Sequence, residues 1–111
     1  MKLVYICSPY RGDTEHNLIK ARGFCRFACN EGVIPIAPHL HNTQFLDDSI
    51  PEEREAGLHM GLELLKRVDE LWAFGNRISE GMKAEIDMAS QNGVKIRYFK
   101  ERKGEIHEVM D

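Results

Sequence analysis

Short apolar runs of strand length recur along this chain, and stretches of helical spacing separate them. The first, Lys2 to Cys7, sets Leu3, Val4, Tyr5 and Ile6 in a nearly continuous apolar row, the pattern of a strand covered on both faces. Ser8-Pro9-Tyr10-Arg11-Gly12 breaks it, and Asp13 or Thr14 caps a helix expected to reach about Asn30. Leu18, Ala21, Cys25 and Ala28 form its inward stripe, with Gly32 as the stop. Val33 to Ile36 reads as a second strand, assigned to a sheet edge by Pro35. Ala37 to Ile50 lacks periodicity and reads as a long surface loop. Ser49-Ile50-Pro51-Glu52 has the form of a capping box with proline at the first helical position, opening a helix to about Arg67. Glu70 to Phe74 is a third strand, Ser79 to Asn92 a helix ended by Gly93, and Val94 to Phe99 a fourth strand. Lys100 to Asp111 reads as a charged tail with a short helix.

Strands alternating with helices predict an α/β fold: a three-layer, doubly wound parallel sheet of four to five strands with right-handed crossovers. The 111 residues suit one domain, residues 1–111. Such sheets bind ligands at the carboxyl ends of their strands, here Cys7–Gly12, Ala37–His41, Gly75–Ser79 and Phe99–Lys100. A net charge of −3 argues against a nucleic acid polymer as partner and leaves room for a small anion site. No apolar run approaches the roughly 20 residues of a membrane span, and Met1 leads directly into the first strand without a leader pattern. Three cysteines, with Cys25 and Cys29 one helical turn apart, do not suggest a disulfide framework; the expectation is a reducing cytoplasm, with Cys25 and Cys29 as small core residues.

One carboxylate breaks the pattern of its helix. With the start at Ser79, Met82, Ile86, Ala89 and Gly93 share an apolar stripe, and Glu85 falls on its edge while Glu80 and Asp87 point away. A carboxylate facing the apolar side is costly unless it is paired or opens into a pocket. Glu85 is therefore the leading candidate for chemistry, against the alternative of an ion pair with Arg11 or Arg97. Tyr5 and Trp72 read as core aromatics, and Tyr10 as a loop ring on which a base can stack. His39 and His41, with Asp47 and Asp48, lack a well-placed third ligand, so no metal is expected. Gly57-x-x-x-Gly61 suggests close approach of another helix, including one across a subunit interface.

Taken together, Val4-Tyr5-Ile6-Cys7-Ser8-Pro9-Tyr10-Arg11-Gly12, Asp69-Glu70-Leu71-Trp72 and Ser79-x-Gly81-Met82-x-x-Glu85 resemble the nucleoside 2-deoxyribosyltransferase-like group. That group includes the 2′-deoxynucleoside 5′-monophosphate N-hydrolases. Pro38-His39-Leu40 and Gln44-Phe45-Leu46-Asp47-Asp48 bring the chain nearest its small uncharacterised bacterial and phage members. The resemblance runs from about Lys2 to Phe99 and implies a flavodoxin-like fold, no cofactor, a homodimer or higher homo-oligomer, and a small nucleotide or nucleoside as partner. It implies that Glu85 is the nucleophile, that Tyr5 orients it, and that Ser8, Arg11, Gly12, Ser79, Gly81 and Met82 surround a phosphate. Serine at position 79 matches the hydrolases; the transferases place there an aspartate that binds the sugar 5′-hydroxyl.

One position departs from that group, whose enzymes carry at position 61 an aspartate that helps protonate the leaving base. Here Gly61 cannot act as an acid; Glu63 points elsewhere, and His59 or Asp48 substitutes only if the fold brings it close. The expected function is cleavage or transfer at the N-glycosidic bond of a (deoxy)nucleoside 5′-monophosphate through a glycosyl–Glu85 intermediate. The alternatives are a non-catalytic nucleotide-sensing module of the same fold, or an interaction protein using Pro38–Ile50.

Overall fold

The computed structural model describes residues 1–109. Its elements are β1 (Leu3–Cys7), α1 (Thr14–Asn30), β2 (Ile34–Ile36), α2 (Pro38–Asn42), α3 (Pro51–Leu65), β3 (Glu70–Phe74), α4 (Glu80–Gln91), β4 (Lys95–Arg102) and β5 (Glu105–Val109). They build one sheet in the order β2-β1-β3-β4-β5. The first four strands are parallel and β5 is antiparallel to β4. This is a flavodoxin-like α/β sheet, and β2, which carries Pro35, lies at its edge.

The two faces of the sheet bury different chemistry, because successive strand residues point opposite ways. Val4, Ile6, Trp72, Phe74 and Phe99 pack with Phe24 and Ala28 of α1. Tyr5, Cys7, Leu71 and Ala73 pack on the other face with Leu65 of α3 and with Met82 and Ala89 of α4. The α1 side is an aromatic layer, with Phe24 stacked on Phe74 at 4.6 Å and Phe74 on Phe99 at 4.9 Å between ring centroids. The α1 stripe is accordingly Ala21, Phe24 and Ala28, while Leu18 and Cys25 are half-buried and Cys29 is exposed. Cys29 is thus not a core residue. Asp13 is the cap, its Oδ1 accepting the His16 N–H at 3.1 Å.

The stretch expected to be a loop contains α2, whose five residues are too few to show a period. Pro38 at its first position was the available signal. Ser49 does not cap α3. Its N–H and hydroxyl both bond Asp47 Oδ1, at 2.9 and 2.6 Å, and Ile50 takes the cap position without a side-chain bond. Short polar side chains compete for local backbone groups in this way.

The charged tail is a strand where a helix was expected. β4 continues to Arg102, Lys103 and Gly104 turn at φ 51° and 78°, and Glu105 pairs back to Arg102. Two consecutive residues at positive φ suit a two-residue hairpin. Arg97 fixes β5 by donating from Nε to Glu108 Oε2 at 2.8 Å, with its guanidinium 4.7 Å from the Trp72 ring centre. Met110 and Asp111, the end of the expected tail helix, lie outside the described residues. Among the described residues, no helix is long and apolar enough to cross a membrane.

Candidate active site

The carboxyl ends of β1, β2 and β3 converge with the start of α4. Gly75, at φ 129°, allows β3 to end close to β1: a Cβ there would lie 3.7 Å from the Pro9 ring. Ser79 then caps α4, its Oγ accepting the Met82 N–H at 3.3 Å while its own O–H remains available to donate. Glu80 and Gly81, in the first turn, have backbone N–H groups with no helical partner.

Strand alternation places Tyr5 and Cys7 on the same face, turned toward α4. The Tyr5 hydroxyl donates to Glu85 Oε2 and the Cys7 thiol to Oε1 at 3.5 Å. Burial pushes the Glu85 carboxyl up to about 7, although the bonds from Tyr5 and Cys7 pull the other way. Burial, and then the neighbouring Glu85, also raises both Tyr5 and Cys7, so both remain protonated donors at neutral pH. Glu85 is in no ion pair among the described residues, and Arg97 is engaged with Glu70 and Glu108.

A cavity of about 630 Å³ opens over this group. Tyr5, Ser8, Arg11, Ser79, Gly81, Met82 and Glu85 all line it, although Met82 is itself almost fully buried. Gly12 is off the wall: at φ 95° it shapes the turn whose carbonyl accepts the Thr14 N–H at 3.0 Å. α2 brings in His39, stacked on Tyr10 with centroids 4.4 Å apart, so one face of the Tyr10 ring is already covered. Burial lowers the His39 pKa and Asp48 opposes this. Arg54 of α3 adds a second guanidinium, and Asp48, Glu53 and Glu80 add carboxylates.

Gly61 sits beside the Tyr5–Glu85 pair, where an added Cβ would lie 3.3 Å from the Tyr5 oxygen. Gly57 faces Asn42 and Leu46. Both glycines therefore face side chains of this chain, at positions where the close approach of another helix was expected. Of the substitutes for the missing acid, Asp48 lines the cavity. His59 pairs with Glu55 at 3.8 Å and borders a separate apolar cavity of about 950 Å³, and Glu63 pairs with Lys66 and Arg67. His39 and His41 face different cavities, and no group of three His, Cys, Asp or Glu is placed to hold a metal among the described residues. Cys7 is the contact that sequence reading missed; its place two residues after Tyr5 on one strand face was the signal.

The fold and its strand-end cavity define a flavodoxin-like α/β protein. The chain belongs to the family described as a domain of unknown function, DUF7768, whose model matches residues 2–99. Among solved structures it is similar to a 2-deoxyribosyltransferase from the psychrotolerant bacterium Bacillus psychrosaccharolyticus, described as a biocatalyst for synthesis of antiviral and antitumoral nucleosides. The TM-score is 0.68 at 18% identity, over 95% of this chain and 77% of that one. It is also similar to a 2-deoxyribosyltransferase from Leishmania mexicana, with a TM-score of 0.61 at 16% identity, over 92% of this chain and 66% of that one. At such identities the likeness is one of fold. No curated protein matches the chain.

Proposed function

We propose that this protein cleaves or transfers at the N-glycosidic bond of a (deoxy)nucleoside 5′-monophosphate, with Glu85 as nucleophile. The observation that carries the reading is a half-buried carboxylate held at both oxygens by neutral donors and facing a nucleotide-sized cavity. Glu85 attacks the anomeric carbon as the base departs with the bonding electrons, and water or a second base then displaces the glutamate. Tyr5 orients the carboxylate. Arg11, Ser8, the Ser79 hydroxyl and the first N–H groups of α4 receive the phosphate, and Gly12 shapes the Arg11 loop. The 2-deoxyribosyltransferase names of the similar structures support sugar transfer at a nucleoside; Arg11 and Ser79 favour a monophosphate.

Gly61 favours a second reading, a nucleotide sensor that binds without releasing base, since no side chain there can protonate a leaving group. Exposed Leu58 and Leu62 at the cavity wall support a homo-oligomer, and three free thiols are consistent with a reducing cytoplasm. Incubation with a panel of nucleoside and deoxynucleoside 5′-monophosphates, followed by chromatography for free base, tests the assignment. Release by the wild type and none by Glu85→Gln is the expected result. Thermal stabilisation by a nucleotide without release establishes the sensor.

A further inference from the structure

We propose that Cys7 is a positioning residue that selects which oxygen of Glu85 attacks, an inference that rests on Glu85 being the nucleophile. Tyr5 alone ties Oε2, and a carboxylate held at one oxygen still turns about its last bond, a torsion with broad wells. The thiol, 3.5 Å from Oε1 and fully buried, supplies the second anchor from a fixed strand position. Its other polar neighbour is the Met82 carbonyl, at 3.8 Å.

The two anchors differ in strength. A phenol is a strong donor and a thiol a weak one, so Oε1 is oriented while keeping more of the negative charge. Oε1 then forms the bond to the anomeric carbon as the carbon–nitrogen bond breaks. The electron pair leaves on the base nitrogen, which takes from solvent the proton that the second half-reaction returns. In the second half-reaction a water oxygen bonds that carbon, the pair of the broken ester returns to Oε1, and the water proton passes to solvent. Cys7 stays S–H throughout, as burial of the thiol favours. Around Glu85 the titratable partners are Tyr5 and Cys7 of β1. Across the cavity that Glu85 shares with them stand Glu53 and Arg54 of α3, His39 of α2, Arg11 and Asp48 of the loops, and Glu80 at the start of α4.

Carboxyl ¹³C NMR titration of Glu85 and steady-state kinetics on the best-turned-over monophosphate test this in Cys7→Val, which keeps volume without a donor, and Cys7→Ser, a stronger donor. Cys7→Ala replaces the valine if the strand rejects the branch. Removing the donor should move the Glu85 titration to higher pH and lower kcat about tenfold while KM stays within about twofold. Serine should move the titration to lower pH and recover most of kcat. An unmoved titration in Cys7→Val overturns the assignment, and so does a moved titration with unchanged kcat. Failure of the underlying reading looks different: the wild type then releases no base, which overturns this assignment too, or Glu85→Gln turns over substrate like the wild type.

Discussion

Gly61 stands against the phenolic oxygen of Tyr5, leaving 3.3 Å for any Cβ placed there. That oxygen is already committed to Glu85, so it cannot yield without disturbing the carboxylate proposed as nucleophile. Gly61→Ala should gain about 1 kcal/mol in helix propensity, lose part of it to crowding, and slow base release several-fold. Calorimetry and a release assay separate the two effects. Gly61→Asp brings the same crowding of Tyr5 together with a proton donor on the cavity wall, so its release rate is expected to exceed that of Gly61→Ala, by up to about 10²-fold.

Glu85 also shapes the stability curve. Its carboxyl sits at about 7 in the folded chain against an ordinary value of 4.5, so between these limits the folded state keeps a proton that the unfolded state has lost. Its contribution to stability is full below about pH 4.5 and is lost as pH rises through 7, by up to about 3 kcal/mol. Urea unfolding of the wild type and Glu85→Gln at pH 5 and pH 8 should show the loss only in the wild type.

Catalysis should run the other way with pH. Attack needs the ionised carboxylate, so kcat/KM should climb through an acid limb near pH 7 and level off above it. A limb near pH 4.5 would mean that the working carboxylate is solvated.

Arg11 should discriminate substrates by charge. With Arg11→Ala, KM for a monophosphate is expected to rise at least about tenfold while KM for the parent nucleoside stays nearly constant. Parallel rises for both would remove Arg11 from the phosphate.

On the opposite face, Arg97 joins β5 to the sheet through Glu108, Glu70 and the Trp72 ring. Burial raises the Glu70 carboxyl, but bonds from Lys2 and Trp72 and the charges of Lys2 and Arg97 hold it below the usual range. Arg97→Ala should cost about 1–2 kcal/mol in a thermal melt, and Arg97→Lys less, because charge survives but the fork does not.

The strand–helix alternation was legible because β1 and β3 are covered on both faces and spell out apolar runs. Glu85 was legible because a carboxylate on an apolar stripe is costly. The rest was hidden by competition between local bonds, by short length or by partners distant in the chain. Nothing local tells Ser49 to prefer Asp47 over the start of α3, and five residues of α2 cannot display a helical repeat. The Lys103-Gly104 hairpin rests on a backbone reversal that also depends on β4 offering an open edge. Gly61 read as a spacing motif because its partner, Tyr5, lies 56 positions earlier in the chain.

The division of the core between the sheet faces has an evolutionary consequence. Stacked rings on the α1 side can keep the chain folded while side chains on the α3 and α4 side are exchanged. A chain built this way can change the side chains around its cavity without first losing its fold. New chemistry then arises on one side of the sheet, while the other side preserves the chain that carries it.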